Sequence, residues 1–131
     1  MNVLIIGTGG REHALAWAIS KSPILEKLYV SGINPAFDEL GALYCSIEEA
    51  TSSKIDLAII GPEIPLANWL ADDLRNKGIF VFGPSKAASE LESSKTYAKE
   101  FMIRHSIPTA SYGAFDSKEE AIAYISGPCV V

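Results

Sequence analysis

The residues best placed for chemistry gather at four glycine-marked bends: Gly7-Thr8-Gly9-Gly10-Arg11-Glu12, Ser31-Gly32-Ile33-Asn34, Gly61-Pro62-Glu63-Ile64-Pro65 and Gly83-Pro84-Ser85. The first begins like the dinucleotide fingerprint G-x-G-x-x-G, whose third glycine lets helix and strand pack closely. Gly7 and Gly9 match it, but Glu12 stands in the third place. A dinucleotide fold also sets an acidic residue after its second strand to hold a ribose hydroxyl. Here the stretch Lys27-Leu28-Tyr29-Val30 runs into Ser31-Gly32, and Glu26 comes before it. A turn of this kind still aims amide N–H groups and a helix N-terminus outward. It favours a small anionic or polyhydroxyl ligand over a dinucleotide.

Arg11 can add positive charge to that edge, or form with Glu12 a solvated first helical turn. His13 reads as a packed residue. Glu63 sits between Pro62 and Pro65, which pre-set the backbone of its turn. A carboxylate there can accept two hydroxyl hydrogen bonds from a sugar; the plainer reading is an acid complementing a helix dipole. Cys45 and Cys129 are far apart and lack metal-ligand spacing.

These bends need elements to hold them. Residues 2–6 are an apolar run without alternation, as in a strand covered on both faces. Ala14, Leu15, Ala18 and Ile19 then fall on one helical stripe that Pro23 ends. Strands are predicted at 27–30, 55–60 and 79–82. Ser46 and Glu49 have capping-box spacing for a short helix. Leu66, Leu70 and Leu74 mark one face of a further helix, closed by Gly78 in a left-handed conformation. Helices follow over 85–92 and 94–106, then a connector with a strand over 107–115. A helix over 116–125 has Asp116 and Glu119 at capping spacing, and a last strand starts at 127–131. Trp17, Trp69, Tyr97, Phe101 and Met102 read as core or interdomain packing.

Strands alternating with helices predict an α/β fold with an open, mostly parallel, Rossmann-like sheet. In such sheets ligands sit beyond the carboxyl ends of the strands, where the strand order reverses. All four bends should therefore share one edge. With 131 residues, the chain is large enough for a real core. Its net charge of −5 argues against non-specific affinity for nucleic acid or anionic membrane. The absence of a long apolar run or a basic leader leaves a cytoplasmic setting as the expectation.

The stretches VLIIGTGGREHALAWAIS, DLAIIGPEIPLANWLADDL and IFVFGPSKAASELESSKTYAKEFMIRHSIPTASYGAF, taken together, resemble the N-terminal part of the phosphoribosylamine–glycine ligase (glycinamide ribonucleotide synthetase) family. The likeness runs over almost the whole chain. G-x-G-G-R-E-H-A, G-P-E-x-P-L and G-P-S-K-A-A-x-x-L-E-x-S-K are far more specific together than singly. The resemblance implies an ATP-grasp ligase of de novo purine biosynthesis. In it ATP phosphorylates the glycine carboxylate, and the amine of 5-phosphoribosylamine attacks the acyl phosphate. Glycinamide ribonucleotide, ADP and phosphate leave, with Mg²⁺ or Mn²⁺ offsetting phosphate charge.

On that resemblance, residues 1–106 are the pre-ATP-grasp domain with its linking helix, and 107–131 open the ATP-grasp domain. Gly9, Gly10, Arg11 and Glu12 form the substrate-edge loop, and Glu63 holds the ribose. Asn34 matches the asparagine of a P-G-N-x-G turn, although Ile33 and Ala36 replace its glycines. Lys95 reaches toward the phosphates of ATP. No catalytic or metal-binding residue is assigned within the chain, which alone is expected to be inactive. The implied partners are small-molecule substrates (5-phosphoribosylamine, glycine and ATP), with no nucleic acid or membrane, and the implied state is a monomer. Two other readings stay open: a stand-alone dinucleotide-binding module, and a non-enzymatic α/β interaction module.

Overall fold

The apolar run at the start of the chain becomes the centre of a parallel sheet. Strand β1 (Asn2–Ile6) has Val3, Leu4, Ile5 and Ile6 all buried, since helices cover both of its faces. In the computed structural model, which describes residues 1–52 and 54–130, the chain divides into two compact units after Ser93.

In the first unit, β1 leads through helix α1 (Gly10–Ser20) to β2 (Lys27–Ser31), then a 3₁₀ turn (Pro35–Leu40) and the short β3 (Leu43–Tyr44). Helix α2 (Ile47–Ser52) precedes β4 (Leu57–Ile60). Two short helices follow, α3 (Glu63–Ala67) and α4 (Leu70–Asn76), and then β5 (Phe80–Phe82) and α5 (Lys86–Ser93). The strand order is β3-β2-β1-β4-β5, and every pairing is parallel. The chain winds outward from β1 to β3, then crosses to the far side of β1 for β4 and β5. The order therefore reverses between β1 and β4, and the bends after β1, β2, β4 and β5 all leave the same edge. The expected α/β class and Rossmann-like sheet are found.

Strand alternation sorts the core into two layers. Leu4, Ile6, Ala58 and Ile60 pack with Ala50, Leu66, Ala71 and Leu74, which come from α2, α3 and α4. Val3, Ile5, Leu28, Val30 and Ile59 pack with Ala16 of α1 and Phe37 of the 3₁₀ turn.

Several expectations need correction. The buried face of α1 is Glu12 and Ala16, flanked by half-buried Leu15 and Ile19, while Ala14 and Ala18 are exposed. The helix predicted through Leu66, Leu70 and Leu74 is broken at Trp69, whose φ of 67° is left-handed. The three leucines still meet the core because α3 and α4 pack on the same layer. Trp17 and Trp69 are about half exposed, their rings covered by Lys21 and Lys86 instead of core residues. Residues 79–82 do not form a strand buried on both sides. Ile79 is buried, but Phe80 and Phe82, in register with Leu57 and Ile59 on the layer of α1, stand exposed at the sheet edge.

The second unit contains α6 (Lys95–Arg104) and α7 (Lys118–Tyr124), and none of its described residues is buried. Within it the Lys99 ammonium donates to Thr109 Oγ1 at 2.7 Å and the Ala110 carbonyl at 3.1 Å, and Tyr124 stacks on Phe115. Tyr97, Phe101 and Met102 are half-buried here, and Phe101 packs on His105. No strand forms over 107–115 or 127–130; Val131 lies outside the described residues. Ser117, not Asp116, caps α7, accepting from the Glu120 amide at 3.2 Å.

Leu4 is fully enclosed between β2, β4 and the helices of its layer. Leu4→Ala is expected to lower unfolding stability by about 2–5 kcal/mol, read as a shifted urea midpoint with an unchanged slope.

Candidate functional site

The switch between β1 and β4 is where the first and third bends meet. Gly7 has φ +123°, a conformation that L side chains rarely adopt, and a Cβ on it would strike Glu12 and the Pro62 ring. Glu12 is the third residue of α1 and is 4% exposed. Its Oε2 accepts the Gly9 amide at 2.7 Å, which satisfies a donor at the helix N-terminus. Its Oε1 is buried without a hydrogen bond, and its sole charged neighbour among the described residues is Arg11 Nε, at 3.4 Å. The carboxylate lies against Gly61, where a Cβ would run into it: the Glu12 Cδ and Cγ would be 2.6 Å away. Arg11 reaches over the same bend, and its Nη1 donates to the Gly61 carbonyl at 2.9 Å.

The second bend joins the first through the backbone and through Asn34. The Gly7 amide donates to the Ser31 carbonyl at 3.1 Å, and the Thr8 methyl sits where a Gly32 side chain would be. Asn34 Nδ2 donates to the Thr8 carbonyl at 2.9 Å, while Asn34 Oδ1 accepts the Ala36 amide at 3.0 Å and caps the 3₁₀ turn. Asn34 itself is extended, at φ −147°, so the turn forms without glycine at Ile33 or Ala36. The Tyr44 hydroxyl lies 2.8 Å from both the Asn34 carbonyl and Asp38 Oδ1. Its hydrogen bond to Asp38 holds the phenol above its ordinary range. Thr8 and Tyr44 were not singled out in the sequence, where neither carries a motif.

The third bend rises directly from the switch. The Gly61 amide donates to the Ile6 carbonyl at 3.1 Å, Pro62 is the N-cap of α3, and Glu63 is its first residue. Glu63 is exposed and has no hydrogen bond or ion pair among the described residues. The fourth bend is anchored from α4. Arg75 donates to the Gly83 carbonyl, and Asp72 Oδ2 accepts the Lys86 amide at 2.9 Å.

Gly9, Gly10, Arg11, Glu12 and Asn34 thus lie in one bonded cluster with Gly61. Gly9, Gly10 and Arg11 are exposed, Asn34 is half-buried, and Glu12 is turned inward beneath them. Glu63 stands two residues beyond Gly61 on the same edge. Lys95 belongs to the second unit, where it begins α6 behind a Ser94 cap and is exposed. His13 is half-buried with its ring tilted by 45° to Phe37, in keeping with its reading as a packed residue. Among the described residues no group of three His, Cys, Asp or Glu could hold a metal ion. Nor is any described helix long and apolar enough to cross a membrane.

A domain with this strand order and its polar groups at the switch point belongs to the open, parallel, doubly wound α/β class. The family profile described as "Phosphoribosylglycinamide synthetase, N domain" matches residues 1–92, and the chain belongs to that family. It is 50% identical to the phosphoribosylamine–glycine ligase of Mesorhizobium japonicum, over 95% of this chain and 31% of that protein. The phosphoribosylamine–glycine ligase of Escherichia coli is 42% identical, over 95% of this chain and 32% of that one. The crystal structure of phosphoribosylamine–glycine ligase from Thermotoga maritima superposes with a TM-score of 0.62 at 29% identity, over 85% of this chain and 26% of that chain. The chain spans about a third of the length of the curated relatives it matches.

Gly61→Ala is expected to push the Glu12 carboxylate off the Gly9 amide and to destabilise the chain by about 1–3 kcal/mol. In the double variant with Glu12→Ala the Gly61→Ala penalty should largely vanish, giving a coupling of about 1 kcal/mol or more in a thermal-melt double-mutant cycle.

Proposed function

We propose that this chain supplies the substrate-binding rim of an ATP-grasp ligase that joins glycine to 5-phosphoribosylamine, forming glycinamide ribonucleotide, ADP and phosphate. The observation that carries this reading is the gathering of the glycine bends around the β1–β4 switch, in a member of the phosphoribosylglycinamide synthetase family. Among the described residues Glu63 is the exposed carboxylate at the switch without a hydrogen bond or ion pair, and it accepts the hydroxyls of the ribose. Gly10 offers its backbone to the same sugar, and Gly9, whose N–H and carbonyl are bonded to Glu12 and His13, lets the sugar approach closely, with Arg11 fixing the Gly61 bend beside it. Both ends of the Asn34 amide are already bonded, so it shapes the rim more than it reads the ligand. Glu12 acts from beneath, through Gly9 and Gly61.

The resemblance further proposes residues 1–106 as the pre-ATP-grasp domain and 107–131 as the opening of the ATP-grasp domain. Lys95 then meets the ATP phosphates as a flexible point charge. Mg²⁺ or Mn²⁺ would offset the phosphate charge of this reaction. A protein acting on these small molecules in purine biosynthesis would work in the cytoplasm.

Titration of the ¹⁵N-labelled chain with ribose 5-phosphate tests the sugar assignment. Amide shifts are expected at Gly9, Gly10 and the residues around Glu63. Glu63→Ala should weaken binding about 10- to 100-fold, the loss of a charged hydrogen bond worth about 1.5–3 kcal/mol. Shifts confined to other parts of the chain, or an affinity indifferent to Glu63→Ala, would reject it.

A further inference from the structure

We infer that Glu12 is a built-in anion that takes the Gly9 donor of the glycine turn from beneath and thereby decides which ligands the turn accepts. In a three-glycine fingerprint the third position carries no side chain, and the ligand's pyrophosphate rests on the amides at the start of the helix. Here that position is Glu12, and its side chain folds back under the turn. Oε2 takes the Gly9 N–H at 2.7 Å, the donor that opens such a seat. The stem and carboxylate fill the space that the bare Cα atoms of Gly7, Gly9 and Gly61 leave clear. Oε1, buried and without a hydrogen bond, places negative charge beneath the turn, with Arg11 as its one charged neighbour among the described residues.

Two consequences follow for a ligand at this edge. A dinucleotide pyrophosphate meets a donor already taken and a like charge beneath the turn, so the turn rejects it. A phosphorylated sugar must direct its phosphate away from α1 and present its hydroxyl side to the rim. What carries the plug is the geometry of the turn, whichever substrate the rim receives.

Inorganic pyrophosphate, followed by amide shifts in the ¹⁵N-labelled 131-residue chain, tests this apart from any sugar binding. The wild-type chain should show no saturable shift at Gly9, Gly10 and Arg11. Glu12→Ala, and Glu12→Gly, which restores G-x-G-x-x-G, should show saturable shifts at those amides with at least a tenfold gain in affinity. Glu12→Gln keeps an acceptor for the Gly9 amide and removes the charge, so its affinity should not exceed that of Glu12→Ala and should lie between it and the wild-type chain. Saturable pyrophosphate binding at these amides by the wild-type chain, or by Glu12→Gln as tightly as by Glu12→Ala, would overturn the inference. So would folded Ala and Gly variants that stay blind to pyrophosphate. If both small variants lose the dispersed spectrum of a folded chain, Glu12 is a support of the fold and not a gate, and the inference falls. None of these outcomes depends on ribose 5-phosphate, so the sugar assignment stands or falls separately.

Discussion

The hydrogen bond between the Glu12 carboxylate and the Gly9 amide is the constraint around which the polar edge is built. A carboxylate this deeply enclosed is costly unless its charge is answered. The answers come from the edge itself: an N–H at the start of α1, and Arg11, whose guanidinium also grips the Gly61 carbonyl. Close approach of three glycines is what lets the carboxylate in. The glycines at 7, 9 and 61 thus serve an internal ligand first. The shape of the rim above them follows from it.

The sheet makes that arrangement possible. Parallel pairing of β1 with both β2 and β4 brings residues far apart in sequence to one height. Gly7 bonds to Ser31 on one side, and Ile6 to Gly61 on the other. A one-residue slip in either register would turn the apolar run of β1 over and move a bend off the edge. The two core layers forbid that slip, because Leu4 and Ile6 fit one layer and Val3 and Ile5 the other. Packing sets the register, and the register sets the site.

Much of this was legible in the residues. Continuous apolar runs that stop at glycine gave β1, β2, β4 and β5 and placed the bends on one edge. What could not be read has physical causes. β3 is two residues long, too short for any pattern, and the 3₁₀ turn after Pro35 has no helical periodicity. Leucines at 66, 70 and 74 keep their spacing across a backbone break, so the left-handed Trp69 is invisible to periodicity. Asp116-Ser117-Lys118-Glu119-Glu120 holds two overlapping capping frames, and spacing alone cannot choose Ser117. At the site, an apolar stripe is the signal for a buried helix face, and a glutamate does not enter it. The three-residue spacing from Gly9 to Glu12 was the available clue, hidden because glycine lacks the side chain that usually announces a cap.

The character of the edge argues for a division of labour. Backbone amides and one unpaired, exposed carboxylate suit the recognition of sugar hydroxyls, which offer both donors and acceptors. They do not suit the handling of an acyl phosphate, whose attack by an amine requires a site closed to water and rich in positive charge. Arg11 is the nearest cation to the switch, and its charge is shared between Glu12 and the Gly61 carbonyl. On the proposed reading such a rim would orient a sugar by its hydroxyl face and leave the transfer of a phosphoryl group to other surfaces.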